Sequence, residues 1–389
     1  MKIYTYILFI TFCSCTANVK KEISQNEKIL QINLVPQKDK ELSISEIFEF
    51  TKLIFLETNK EVLLSDISKI SIDDNSIFIL NSYDKLVYSY DFNGGFKNRI
   101  GVKGNGPGEL LYPGCFALNK SKKEVWMTNN FREIFKYDYN SNFISKEDCE
   151  LFVDDLEISE KGQIYFFTSK KTNYEKGSNQ TMSWELWIKS DLASVDAKVY
   201  FPYSYELYPN GGTFFSERTP FSALSNSFTF HYIYSDTIYS ILEDGVEGKY
   251  VIDFAEKKID EDFSLFSADQ IFEYIQKNES KACFVNNVIE TPGFLYFSYL
   301  MGMKRYHVFH NKATSNTMEG ILPSNIYGAN ITFLTSVGDE LIGYINPYEI
   351  DHMGFNDNIW GISNEDITKL KSVSEDDNPI LIKCKIRNF

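Results

Sequence analysis

Positive charge is scarce in this chain. Its 39 Lys and Arg face 54 Asp and Glu, leaving a net charge of −15 over 389 residues. A nucleic-acid partner is excluded, because phosphate neutralisation needs a basic face. Long apolar runs are absent beyond the N-terminus, where no stretch reaches the about 18 residues that a membrane-crossing helix needs. The six cysteines show no CxxC spacing, which argues against a zinc site. Histidine is rarer still, with only His231, His307, His310 and His352. No Gly-x-Ser-x-Gly elbow appears, and no Cys/His pair has a local catalytic signature. What is abundant is apolar material, at 43% hydrophobic and 16% aromatic residues, enough for a large core rather than a disordered chain.

The start of the chain reads as an address. Met1-Lys2 is a short positive region, Ile3 to Phe12 is apolar, and Cys13-Ser14-Cys15 follows. The segment resembles a bacterial lipoprotein signal, with residues 1–14 removed and Cys15 carrying the lipid. Phe12 and Cys13 depart from the commonest residues of that pattern, and Cys13 is the weaker lipid candidate. The alternative is an ordinary secretory signal. Residues 15–45 are expected to form a polar tether, and 46–389 the folded body. An acidic cluster after the lipid cysteine, one known surface-export signal, is missing. The remaining Cys115, Cys149, Cys283 and Cys384 read as small buried hydrophobes, with no disulfide pairing deducible.

The body repeats. Ser71 to Leu80 alternates, as does Leu86 to Asp91, and Asn93-Gly94-Gly95 makes a turn. Glu124 to Thr128 and Ile134 to Phe143 repeat the pattern, and Tyr90-Asp91 lies 47 residues before Tyr137-Asp138, the period of a four-stranded propeller blade. Looser copies follow at 162–191, 228–241, 294–309 and 331–344, making six units. Period-two alternation and β-branched or aromatic residues mark these runs as strands. Lys52 to Leu56 and Ile380 to Ile386 flank the copies and are expected to pair, closing the ring and removing exposed edges. A helix capped at Ser267 is expected within 262–279, between the fourth and fifth units, and a short one over 364–370. The fold class is therefore all-β, a single six-bladed propeller.

Tyr90 to Phe96, then Ile100-Gly101, then Gly104-Asn105-Gly106-Pro107-Gly108-Glu109 closely resembles the hallmark stretch of bacterial six-bladed β-propeller lipoproteins, relatives of NHL-repeat and TolB-like propellers. Glu375 to Leu381 resembles that family's closing strand, and Leu53 to Thr58 its opening one. The resemblance covers residues 45–389 and implies the propeller fold and a lipid-anchored, exported location at the outer membrane. It implies no activity. A glycan or peptide role follows only by association with glycan-foraging Gram-negative bacteria.

Most candidate site residues also have a plainer, structural reading. The glycine loop lacks the ending of a P-loop and the helix of a dinucleotide site. Gly104, Gly106, Pro107 and Gly108 therefore read as structural, with glycines at positive φ and Pro107 as a stiffener. Glu109 is kept as a ligand-binding candidate beside this rigid turn. Asp91 to Gly94 reads as a type I′ hairpin rather than a calcium loop. Asp154-Asp155 and Asp376-Asp377 read as solvated faces. Trp126 and Trp187 read as inter-blade core, whereas Trp184, Tyr205, Tyr208 and Trp360 fall in loop-like stretches and are the aromatic binding candidates. The leading function is a non-catalytic binding or scaffold lipoprotein for a glycan, peptide or envelope protein, using loops 169–184 and 200–220 on one face, with no cofactor. The alternative is a lactonase, lyase or hydrolase whose divalent metal sits near the ring axis, held by His, Asp or Glu.

Overall fold

The computed structural model describes residues 29–389 apart from 130–131, 170–172, 175–180, 195, 204–216, 225–226, 244, 260, 262, 264–265, 324–330 and 351–360. Two strands precede the repeats: β1 (Leu30–Asn33) and, after helix α1 (Ile44–Ile47), β2 (Phe48–Phe55). The first blade is β3 (Ile67–Asp73), β4 (Ser76–Asn81), β5 (Val87–Tyr90) and β6 (Phe96–Ile100). The second is β7 (Pro113–Asn119), β8 (Glu124–Asn129), β9 (Glu133–Asp138) and β10 (Phe143–Asp148). The third opens with β11 (Asp155–Ile158) and β12 (Ile164–Phe167), carries the small hairpin β13 (Asn173–Tyr174) and β14 (Thr181–Met182), and ends with β15 (Trp184–Lys189) and β16 (Ala197–Pro202). The fourth is β17 (Phe221–Leu224), β18 (Ser227–Phe230), β19 (Thr237–Ile241) and β20 (Val246–Asp253). Helix α2 (Ala268–Lys277) precedes the fifth blade, β21 (Ala282–Glu290), β22 (Phe294–Met301), β23 (Lys304–Asn311) and β24 (Thr317–Gly320). The sixth contains β25 (Thr332–Val337) and β26 (Glu340–Ile345), then α3 (Pro347–Ile350), α4 (Asn364–Leu370) and β27 (Ile380–Ile386).

The four repeat strands of each blade are antiparallel, and β2 completes the sixth in the order β2-β27-β26-β25. The expected closure is therefore present: Lys52 pairs with Lys383 and Ile54 with Leu381. Asn378, buried just ahead of β27, fastens the seam. Its Oδ1 accepts from Leu64 N at 2.7 Å, and its Nδ2 donates to Glu57 O at 2.8 Å and Val62 O at 2.9 Å. The inner strands β11, β7, β3, β25, β21 and β17 pack side by side around the axis. Apolar residues fill the wedges between blades, as with Phe78, Phe116 and Tyr137 between the first and second. Both faces of a blade are covered by its neighbours, so central strands such as β22 read as nearly continuous apolar runs.

Polar groups also tie blades together. Glu290 at the end of β21 is buried and accepts from Lys249 Nζ at 2.8 Å, Lys312 Nζ at 2.8 Å, Thr229 Oγ1 at 2.5 Å and Tyr250 OH at 3.0 Å. Burial opposes its charge, yet these donors hold its carboxyl below the ordinary value.

Two expectations need correction. The tether does not extend to residue 45. β1 pairs in parallel with β20 as a fifth strand of blade four, with Ile32 opposite Ile252. Leu42 N then donates to Ile321 O at 2.9 Å, so the segment straps the rims of blades four and five before reaching blade six. The reason is the alternation of Ile32 and Leu34, both buried, within an otherwise polar stretch. The Asp91–Gly94 turn is not type I′. Only Gly94 has positive φ, at 89°, and Asp91 Oδ1 accepts from Asn93 N at 2.7 Å and Gly95 N at 3.0 Å. This is a type I turn closed by a left-handed residue. Both helices appear where expected, and α2 has a full capping box at Ser267 and Gln270.

An even number of antiparallel strands returns the chain to the face it left. One face therefore carries the hairpin turns within blades, such as Asp73 to Ser76 and Tyr90 to Phe96, together with α1 and the C-terminal Asn388 and Phe389. The other, the crossover face, carries the links between blades and the middle loops within them. Its connections are long: Phe167 to Trp184, Pro202 to Phe221, Asp253 to Ala282 and Ile345 to Ile380.

Candidate binding face and axial channel

A cavity of about 130 Å³ lies on the axis, walled by residues of all six inner strands and their ends, among them Lys69, Leu118, Glu157, Ser222, Ile289 and Thr335. Its main feature is one ammonium between two carboxylates. Lys69 Nζ stands 2.8 Å from Asp155 Oδ1 and 2.7 Å from Glu157 Oε1, and donates to Leu156 O at 3.0 Å. Asp155 and Glu157 are two apart on β11, so both point to one side of the strand. Lys69 comes from β3, a full blade further away, and passes over the Phe116 ring of the blade between, 5.7 Å from its centroid. Burial works against the charge on Lys69, but Asp155 and Glu157 outweigh it and raise its pKa. One ammonium cannot neutralise two carboxylates. Burial, partly offset by Lys69 and reinforced by Glu157, pushes Asp155 up to about 7. Asp155 is thus buried, not part of a solvated acidic face.

At the crossover-face mouth, Arg218 donates to Tyr344 OH at 3.2 Å and Lys85 Nζ to Ser68 Oγ at 3.0 Å. Burial, then Arg218, lowers the Lys85 pKa. Beside them Glu217 and His231 form a buried pair, Oε2 to Nδ1 2.8 Å, while His231 Nε2 meets Ser235 O at 2.8 Å. Both ring nitrogens are thus held by oxygens of neighbouring groups. The other Glu217 oxygen accepts from Asn287 N at 3.0 Å. This network ties the segment just ahead of β17 to Asn287 within β21.

The structure separates the candidates named from sequence. Glu109 does not line the cavity. It folds back into its own loop, where Oε2 accepts from Gly106 N at 2.8 Å. Glu109 N donates to Gly106 O at 3.0 Å, and Gly108 has φ 75°, giving a type II turn with Pro107 at its second position. Gly104 and Gly106 are needed for another reason. A Cβ on Gly104 would lie 2.0 Å from Glu109 Oε2, and one on Gly106 2.9 Å from the Glu109 carboxyl carbon. Trp184 is not in a loop. It is the first residue of β15, half-buried, and its carbonyl accepts from Thr168 Oγ1 at 2.7 Å and Trp187 Nε1 at 3.0 Å. Tyr205, Tyr208, Trp360 and Cys15 lie outside the described residues. Trp126 is in the core, with Lys136 Nζ 4.0 Å from its ring centroid, and Trp187 packs against the same cluster.

The described histidines do not converge on the axis. His307 sits in β23 with Nδ1 2.9 Å from Tyr296 OH, and burial pushes its pKa down to about 3. His310 bonds Thr317 Oγ1 at 2.8 Å. His352 lies outside the described residues. Among the described residues no three His, Cys, Asp or Glu side chains gather as a metal-binding group. Cys115, Cys149, Cys283 and Cys384 are buried thiols with no disulfide among them. Burial pushes Cys283 and Cys384 up to about 12, which keeps both protonated and unreactive.

Sequence reasoning missed the axial triad and a second feature on the crossover face. A cleft of about 340 Å³ opens between blades one and six, lined by Tyr83, Asn346, Tyr348, Glu375 and Asp376. Tyr83 is 83% and Tyr348 53% exposed, the kind of solvent-facing aromatic sought elsewhere in the chain. The signal available was Tyr83 inside the turn Asn81-Ser82-Tyr83-Asp84, where no core position is expected.

The fold is similar to that of an exported protein from Bacteroides fragilis NCTC 9343, with TM-score 0.74, 16% identity, and 93% of this chain and 100% of that one covered. It is also similar to a member of the DUF4221 family from Bacteroides vulgatus, with TM-score 0.57, 11% identity, and 89% and 100% covered. At such identities the likeness is one of fold. No curated protein matches the chain. Residues 28–385 match the family described as "Domain of unknown function (DUF4934)", and the chain belongs to that family.

Proposed function

We propose that this chain is an exported, lipid-anchored binding or scaffold propeller that presents its crossover face to a glycan, peptide or partner protein of the cell envelope. The observation that carries this reading is the asymmetry of the ring. Long connections gather on the crossover face, and the turns within blades on the other face are short. β1 runs parallel to β20, from the turn face toward the crossover face, so residue 29 enters at the rim on the turn-face side. A lipid on Cys15 would tether the ring from that side. Fourteen residues span at most about 50 Å, room for the crossover face to point away from an outer membrane. The signal-like start and the exported Bacteroides relative support export. The Tyr90–Glu109 stretch supports kinship with NHL-repeat and TolB-like propellers.

The axial cavity favours binding elsewhere. At about 130 Å³ it falls below the roughly 300 Å³ at which small-ligand pockets begin, and its most buried charges are paired with one another. Binding energy would come from the loops around it. Intact-mass analysis of the N-terminal peptide from membranes tests the anchor, with a diacylglyceryl or triacyl mass on Cys15 expected. Glycan and peptide arrays probed with the full chain test the binding role. An unmodified N-terminus together with blank arrays would overturn the reading.

A further inference from the structure

We infer that the cleft between blades one and six binds a cationic side chain, Lys or Arg, of a basic peptide segment. The inference rests on the crossover face being the binding face, and names its partner class. The cleft's walls come from three separate segments: Leu63 to Ser65 ahead of β3, Tyr83 in the β4–β5 loop, and the long connection after β26 that supplies Asn346, Tyr348, Glu375 and Asp376. Its charged lining is entirely negative, and Glu375 and Asp376 are exposed, with no ion pair among the described residues.

Asn346 supplies an independent sign. It is only 8% exposed, and its Nδ2 donates to Asp66 Oδ1 at 3.4 Å and Tyr348 OH at 3.2 Å. Facing a carboxylate fixes the amide orientation, because the amide oxygen there would meet Asp66 as a second acceptor. Asn346 Oδ1 is then buried with no hydrogen-bond partner among the described residues, a costly state for a polar group. The cleft is thus rich in acceptors and asks for donors. An ammonium or guanidinium on an aliphatic stem answers each element: charge for the carboxylates, N–H donors for the amide, and a cation for the tyrosine faces. Leu63, Pro347 and Pro379 line the cleft for the stem. The net charge of −15 adds long-range attraction for a basic partner. A neutral sugar would gain the aromatic stacking but leave the carboxylates without a counter-charge.

The test is calorimetric titration of the full chain in detergent with tetralysine, tetra-Nε-acetyl-lysine and cellotetraose. Tetralysine is expected to bind saturably, with the acetylated peptide at least about tenfold weaker. Tyr83→Ala, and Glu375→Gln with Asp376→Asn, are each expected to weaken tetralysine about tenfold. Asp269→Asn with Glu273→Gln removes equal charge from α2 and should leave binding unchanged. Melting temperatures confirm that each variant is folded. The inference is overturned if tetralysine does not saturate, if the α2 variant weakens it equally, or if cellotetraose binds in a Tyr83-dependent way while tetralysine does not. A negative result here, with another array ligand still protecting the crossover face, removes the cation assignment alone. Protection confined to the turn face removes the wider reading as well.

Discussion

Lys69 on β3 meets Asp155 on β11 at 2.8 Å, although a whole blade separates their strands. The Lys69 side chain reaches over the Phe116 ring of the second blade, so the contact ties the first blade to the third. With Glu157 it forms a buried triad whose members need one another more than the fold needs the charges.

Replacing Lys69 by Met leaves two carboxylates facing each other in the channel wall. The expected cost is about 3–5 kcal/mol, read from urea denaturation. Adding Asp155→Leu and Glu157→Leu should return most of it, because an apolar replacement of all three groups leaves no uncompensated charge. A triple variant as weak as Lys69→Met alone would contradict this.

Asp155 also gives a pH signature. Its folded pKa of about 7 stands above its ordinary 3.8. Between those values the native state holds a proton that the unfolded chain has lost, so this group's contribution to stability falls as pH rises through the window. Asp155→Asn removes that slope. The melting-temperature advantage of wild type over the variant should shrink steadily from pH 4 to pH 7. A flat or growing difference would count against the assignment.

The glycine loop yields a double-mutant cycle. Gly104→Ala displaces the Glu109 carboxylate from Gly106 N, and Glu109→Ala removes it, each costing about 1 kcal/mol. Because both lose one hydrogen bond, the double variant should be little worse than either single one. Additive costs would show that Glu109 acts outside its loop.

The seam is equally open to test. Asn378→Ala strands the Leu64 amide and two carbonyls at the point where the first and last segments meet. The expected loss is about 2 kcal/mol or more, with faster hydrogen exchange along both β2 and β27. Faster exchange in β2 alone would mean that Asn378 does not fasten the ring closure.

What sequence showed of this protein depended on range. The blades were legible because alternation is local, and because Asp91 and Asp138 do the same job 47 residues apart. Asp138 Oδ1 accepts from Asn140 N at 2.9 Å and Asn142 N at 2.8 Å, as Asp91 does from Asn93 and Gly95. The closing pair was legible because both flanking runs lacked a partner in any repeat. β1 was not, since four residues on a parallel edge with one buried side chain give little period to detect. The axial triad was invisible: Lys69 and Asp155 are 86 residues apart, and no local pattern links them. Trp184 looked like a loop aromatic because β13 and β14 interrupt its blade. The Tyr83–Tyr348 cleft is assembled from segments far apart in the chain, and only the ring brings them together.

The most direct test of the binding reading is hydrogen–deuterium exchange on the full chain, with and without the strongest array ligand. Protection is expected over crossover-face segments, including 81–86, 168–184 and 346–350. Protection limited to turn-face segments such as 91–95 and 138–142 would contradict it.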